Sequence, residues 1–382
     1  MQMNIKEFVK KHRVVYTLYF YIMSFLINIV RPFVRTNEKM ILFVSYGGKH
    51  YSDSPKSIFE YMLSDARYKG YKFVWAFVDP EKYDIPDAEI IKIDTPKYYL
   101  TALKARVWVT NVIIERALKF RGKKTFYLCT SHGIPLKRIK DSGEAFKRLY
   151  HCLYDVILAQ SEYDKKIQQE EFDLPPGKIV MTGYPRNDKF SGNISEVSAK
   201  VRSHYGIGNE KRIILYAPTY RDWNNGVETI NIDIEKWREH LSDKFVLLYR
   251  AHPTVVLDNK IKNDEFFINT TAYEDLDELL IAADILVSDY SSMFFDYSIL
   301  HRPMICWAYD YGRFAQCRDL QVNLLEEVAG GEITEDELIS IIKNGDYKEI
   351  VKKSIAFQEK YVTVYGKASA NAADLIFNRI KQ

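Results

Sequence analysis

The sequence predicts an α/β protein with two open parallel sheets facing one another across a cleft. Short apolar, β-branched runs alternate with amphipathic stretches beyond residue 40, the pattern of parallel strands covered on both faces by helices. These runs form two series, separated by a polar segment at about 188–211 without strong apolar periodicity, where the domain junction is expected. Size agrees: 382 residues, 47% hydrophobic and 27% charged, are enough for two packed cores and exclude general disorder.

The first series of candidate strands covers 41–45, 72–78, 107–110, 125–129, 156–158 and 179–182. The second covers 213–216, 245–249, 267–269, 285–287 and 304–307. Stretches 55–68, 98–104 and 276–283 read as helices between them, and 347–382 reads as helical and able to cross back onto the first domain. The expected divisions are a helix within 1–37, an N-terminal domain 38–195, a C-terminal domain 196–345 and returning helices 346–382.

The amino-terminal segment carries Lys6, Lys10, Lys11 and Arg13, then an uncharged run over 14–30, then Arg31, Pro32 and Arg35. Such a run spans about 25 Å as a helix, slightly short of a hydrocarbon core. A helix lying in a membrane leaflet is the favoured reading, with Tyr16, Tyr19 and Tyr21 at headgroup level and basic residues on anionic lipid. A single span and a helix buried against the protein's own domain compete with it. The net charge of +3 is too small for a nucleic-acid-binding chain. The four cysteines show neither paired nor metal-finger spacing and read as reduced thiols.

The chemistry-bearing residues cluster after strands, where open α/β sheets bind ligands. In CTSHGIPLKRI, Gly133 permits a tight turn, Pro135 can open a helix, and His132 sits beside Lys137 and Arg138 at a cleft edge, placed to take a proton from a hydroxyl. A surface-loop histidine is the plain alternative. In GYPRND, Arg186 is placed to clamp a phosphate, while Asn187 and Asp188 read equally as turn formers. YAPTYRD offers Thr219 and Arg221. In YRAHP, Arg250 and His252 are two apart and share one side of an extended segment, so both can reach one diphosphate. In SDYSSMFFDYSIL, Ser291 or Ser292 caps a helix over 293–300 and offers hydroxyls to an anion, while Asp289 can accept from a ribose or glycerol hydroxyl. The plain alternative there is a simple cap, with Asp296 a surface charge. SYGGKHYSDSPK lacks the spacing of a dinucleotide fingerprint or P-loop. Its Lys49 and Asp53 are candidates, with Lys137, for the acceptor side of the cleft, and a mobile surface loop is the equal alternative.

Taken in order, SYGGKHYSDSPK, SHGIPLKRI, GYPRND, YAPTYRD, YRAHP, SDYSSMFFDYSIL with HRPMICW, and YGKAS at 365–369 resemble the CDP-glycerol glycerophosphotransferases of teichoic acid synthesis, most nearly the shorter primases. The resemblance implies a GT-B fold of two Rossmann-like domains, CDP-glycerol as donor and a polyprenyl-diphosphate-linked disaccharide as acceptor. It maps the family histidines to His132 and His252, and phosphate-binding residues to Arg250, Ser291, Ser292 and Thr219. Ser131 stands where many relatives carry Trp, and Tyr365 where Asp is common. No cofactor is expected; no carboxylate pair here reads as a required Mg²⁺ chelate, and fixed cationic groups can do that work instead. A CDP-ribitol transferase, a short polymerase, a sugar-nucleotide glycosyltransferase of the same fold and a non-catalytic membrane scaffold remain open on these residues alone.

Overall fold

A computed structural model describes residues 13–116, 118–136, 138, 154–219, 221, 227–228, 230–251, 256–257, 262–317 and 319–381. His252 and Lys137 lie outside the described residues, as do Lys6, Lys10 and Lys11.

The first lobe holds a seven-stranded parallel sheet in the order β3-β2-β1-β4-β5-β6-β7. Its strands are β1 (Asn37–Val44), β2 (Lys72–Phe77), β3 (Ala88–Lys92), β4 (Ala105–Thr110), β5 (Phe126–Cys129), β6 (Val156–Ala159) and β7 (Ile179–Met181). β1 lies between β2 and β4, with Ile41 opposite Phe73 and Val107. Ile41, Leu42, Phe43 and Val44 are all fully buried, as a strand covered on both faces requires. The helices include α1 (Arg13–Val30), α2 (Asp53–Ser64), α3 (Pro96–Lys104) and α4 (Glu162–Phe172). Residues 66–68, read from sequence as the end of the helix now seen as α2, form a separate 3-10 turn, because Asp65 leaves the helical conformation and accepts from the Arg67 N–H. The sequence reading missed β3, whose edge position leaves most of it half-exposed.

The second lobe holds a six-stranded parallel sheet in the order β12-β10-β8-β13-β14-β15. Its strands are β8 (Arg212–Tyr216), β10 (Phe245–Tyr249), β12 (Phe267–Asn269), β13 (Ile285–Ser288), β14 (Met304–Trp307) and β15 (Ala329–Gly331); β9 (Val227–Glu228) and β11 (Val256–Leu257) pair separately. Between the sheets lie a 3-10 segment (Pro185–Ser191) and α5 (Ile194–Tyr205), so the polar stretch read as lacking periodicity is largely helical. Only Val201 of α5 is fully covered, which is why no apolar stripe shows in the sequence. The remaining helices are α6 (Ile234–Leu241), α7 (Leu276–Ala282), α8 (Met293–Ser298), α9 (Tyr311–Cys317), α10 (Leu324–Glu327), α11 (Glu335–Asn344), α12 (Tyr347–Tyr361) and α13 (Ala368–Lys381).

One apolar cluster runs through both lobes, from Phe43 and Trp75 through Tyr184 to Leu286 and Phe295, and takes in Phe357 of α12 and Ile376 of α13. α13 returns to the first lobe: the Tyr68 hydroxyl donates to the Ala373 carbonyl, 305 residues away in sequence. The start of α13 rests on Asp188, whose carboxylate accepts from the Ala368 and Ser369 N–H groups at 2.8 and 2.7 Å. The strand-end turn at Gly183 lies under this return. Its φ is +80°, and a Cβ there would stand 2.6 Å from the Val364 carbonyl oxygen, so only glycine fits.

α1 carries apolar side chains on both its inward and its outward sides. Ser24 and Ile27 are buried, with Phe20 and Met23 packed against the first lobe's core. The Lys119 N–H donates to the Ser24 hydroxyl, and the Asn28 amide donates to the Lys119 carbonyl. Leu18, Tyr21, Ile22, Phe25, Leu26, Ile29 and Phe33 point outward and are exposed. Among the described residues no helix is long and apolar enough to cross a membrane.

Candidate active site

In each sheet the strand order reverses once, between β1 and β4 and between β8 and β13. Ligands of open α/β sheets bind outside the strand carboxyl ends at such reversals. The loops there carry most of the chemistry-bearing residues: 45–53 and Asn111 in the first lobe, 217–221 and 289–292 in the second.

In the first lobe several residues take left-handed backbone conformations around His132. Tyr46 has φ +46°, Asp53 φ +64° and Ser131 φ +57°, and Gly133 takes φ +128°. Strain of this kind persists only where surrounding contacts enforce it, and it gathers at functional sites. The enforcing contacts are hydrogen bonds. Asn111 accepts from the Tyr46 N–H at 2.8 Å and donates to Asp53 at 3.0 Å, and its carbonyl lies 3.2 Å from His132 Nδ1. The Tyr46 hydroxyl donates to Asp53 at 2.6 Å, and its ring meets the His132 ring edge-on. His132 itself is exposed. The Asn111 carbonyl can only accept, so Nδ1 carries the proton of this contact and Nε2 is the acceptor nitrogen of the neutral ring. The helix expected to open at Pro135 is not formed over 134–136; this stretch runs across to the second lobe, where the Gln321 N–H donates to the Leu136 carbonyl and the Gln321 side chain to the Pro135 carbonyl. Arg138 pairs with Asp319 at 2.6 Å.

Arg186 is not free to clamp a ligand anion. Its guanidinium donates to Asp296 at 3.0 and 3.1 Å and to Asp53 at 3.4 Å, with all three side chains buried. Asp296 is therefore a buried ion-pair partner, not a surface charge. Burial opposes the Asp53 charge, but Arg186, the Tyr46 hydroxyl and the Ser54 N–H outweigh it and hold that carboxyl below its usual range. Lys49 is exposed, and its carbonyl accepts from the Tyr83 hydroxyl. The neighbouring His50 is held below its usual value by burial and by Lys49, so it is neutral near pH 7.

Arg221 is likewise engaged. It reaches Asp289 at 2.7 Å and Asp310 at 2.7 and 3.0 Å, among the Tyr290, Tyr309 and Phe314 rings. Asp289 also accepts from the Thr219 and Tyr290 N–H groups, so its oxygens are occupied and it is sealed from a ribose or glycerol hydroxyl. The pair thus shapes the loop that carries Thr219, whose hydroxyl accepts from Arg221 at 2.8 Å and keeps its own proton to donate. α8 begins one turn after Asp289 but is shorter than expected, six residues. Ser292 has helical backbone angles and no capping side-chain bond; the Ser291 hydroxyl instead accepts from the Met293 N–H at 3.2 Å.

Arg250, at the end of β10, differs from the other two arginines. Its guanidinium donates to the Thr270 and Tyr273 carbonyls at 3.1 and 2.6 Å, and among the described residues no carboxylate pairs with it. Burial lowers its pKa from the usual arginine value. A half-buried cation held by carbonyls, with no described carboxylate paired to it, is a natural seat for an anion.

Sequence reasoning did not single out Asn111, Tyr46 or Asp310. Asn111 left one signal, a polar residue directly after an apolar strand; the roles of the others depend on contacts far along the chain.

A family model described as CDP-Glycerol:Poly(glycerophosphate) glycerophosphotransferase matches residues 24–380. The chain belongs to this family. It is 33% identical over 373 residues to a teichoic acid poly(glycerol phosphate) polymerase of Staphylococcus epidermidis, covering 90% of this chain but 51% of that protein, so it spans about half the length of this relative. It is 32% identical over 375 residues to a teichoic acid glycerol-phosphate transferase of Staphylococcus aureus, covering 89% and 93% of the two chains. Among solved structures, the wall teichoic acid polymerase TagF, as a histidine variant soaked with CDPG, superposes with a TM-score of 0.85 at 29% identity over 100% of this chain and 99% of that one. The two facing Rossmann-like lobes are the GT-B arrangement of this glycerophosphotransferase family.

Proposed function

We propose that this glycerophosphotransferase-family chain moves glycerol phosphate from CDP-glycerol to a hydroxyl of a polyprenyl-diphosphate-linked disaccharide. The acceptor oxygen attacks the β-phosphorus in line. A P–O bond forms to the acceptor, the bond to the bridging oxygen breaks, and CMP leaves with the electron pair. The acceptor proton passes to His132 Nε2. Arg250, with Thr219, Ser291 and Ser292, holds the diphosphate, and His252 assists the leaving CMP as the family motif implies. Positioning and fixed charge supply most of the acceleration in such transfers.

The observation that carries this reading is Arg250, the one of three cleft arginines without a described carboxylate partner. Arg186 and Arg221 enter as framing groups, and Asp53 and Asp289 as their counterions. The exposed apolar face of α1 supports a place on the cytoplasmic leaflet, where a polyprenyl acceptor meets a water-soluble donor. The test is mass spectrometry of the product made from CDP-glycerol and a lipid-linked disaccharide. One added glycerol phosphate with stoichiometric CMP is expected. A ladder of additions makes the chain a polymerase; transfer of a sugar, or no transfer, overturns the reading.

A further inference from the structure

We infer that Arg186 is a positioning residue that couples the two lobes, setting the His132 turn against the segment carrying Ser291 and Ser292. This rests on the functional reading above, and it reassigns Arg186 from ligand to linker. Arg186 belongs to neither sheet. From the segment between them it reaches Asp53 at the start of α2 in one direction and Asp296 on α8 in the other. Side-chain exposures of 8%, 3% and 9% leave no room for a ligand between them.

Each end of this bridge leads to the site in one further step. On the first-lobe side, Asp53 holds Tyr46 and Asn111; Tyr46 meets the His132 ring edge-on, and the Asn111 carbonyl hydrogen-bonds its Nδ1. The guanidinium also lies beneath the turn: a Cβ on Gly133 would stand 3.1 Å from Arg186 Nη2. On the second-lobe side, Asp296 sits about one helical turn beyond Ser291 and Ser292. Neighbouring side chains fix Arg186 itself. Its N–H donates to the Ser54 hydroxyl, Asn187 donates to Gln160, and Lys189 pairs with Asp275 at 2.6 Å. Buried ion pairs contribute little net stability against apolar replacements of the same shape, but they define geometry. One cation between two carboxylates, one from each lobe, admits a narrow range of lobe separations. In-line transfer needs such a constraint, because a misplacement of about 1 Å costs about 100-fold in rate.

The test is a double-mutant cycle on kcat and KM with Asp296→Asn, Arg186→Lys and His132→Ala. Asp296→Asn leaves one cation facing one anion, so Arg186 keeps a buried counterion in Asp53 and the protein should fold. Both Asp296→Asn and Arg186→Lys are expected to lower kcat at least ~10-fold, with KM for CDP-glycerol within about threefold. Added to His132→Ala, Asp296→Asn should cost less than about twofold more, because it acts through a group already removed. A folded Asp296→Asn with full kcat, or losses that multiply in the double variant, overturns the inference. If Arg186→Lys fails to fold, Asp296→Asn carries the test alone. An inactive His132→Ala beside a fully active Asp296→Asn overturns the coupling only; full turnover in His132→Ala overturns the general-base reading and the coupling with it.

Discussion

Single side chains at the strand ends divide by whether their charge is already balanced. Arg186 and Arg221 are each shared between two carboxylates, whereas among the described residues Arg250 is held by carbonyls. Arg250→Ala is therefore expected to raise KM for CDP-glycerol ~10–100-fold, the cost of a charged hydrogen bond to phosphate, and isothermal titration with CDP-glycerol reads the same loss. His132→Ala should reduce kcat ~10²–10⁴-fold while CDP-glycerol still binds. A third residue reports on stability. Glu115 is buried in the first lobe, where it accepts from the Tyr127 hydroxyl at 2.8 Å, and burial raises its carboxyl from the usual 4.5 to about 7. The unfolded chain releases this proton near pH 4.5 and the folded chain near 7, so the folded state binds more protons between those values. This contribution is full below about pH 4.5, falls as pH rises and is lost above 7. Glu115→Gln keeps the acceptor and removes the charge. It should raise Tm at pH 8 and change it little at pH 4, measured by differential scanning calorimetry.

Elements show what a sequence discloses and what it withholds. Strands such as 245–249, 267–269 and 304–307 were legible to the residue, because runs apolar on both faces leave few alternatives. The edge strand β3 and the helix α5 were not, since each buries too little to leave a period. At the site, the sequence located the strand-end loops but not the pairings within them. Arg186 meets partners 133 and 110 residues away, a relation that topology alone supplies. α1 carries its own prediction. Its Ser24 and Asn28 bond to the first lobe beside Ile27, while Phe25, and Phe33 in the turn that follows, are exposed, so apolar surface faces outward where a solvated helix would be polar. Phe25→Asp with Phe33→Asp should abolish co-sedimentation with anionic vesicles and leave turnover on a short-chain soluble acceptor unchanged. Retained co-sedimentation would remove α1 as the membrane contact.

The whole molecule is tied together by the segment from Gly183 to Lys189. Tyr184 donates to Asp164, Arg186 joins the lobes, Asn187 holds Gln160, Asp188 caps α13, and Lys189 pairs with Asp275. Asp188→Ala removes a cap on two N–H groups and should cost about 1 kcal/mol, lowering Tm by a few degrees. If Asp188→Ala unfolds at the wild-type temperature, the cap carries no such weight.

The contact between Tyr68 and Ala373 also orders events during synthesis. Most strands of the first sheet leave the ribosome early, yet the helix that covers α2 is translated some three hundred residues later. Until residue 376 emerges, the apolar face around Phe59 and Tyr68 has no lid, and the nascent protein carries it exposed while the second lobe is being made. A chaperone has its longest opportunity on this protein at that face.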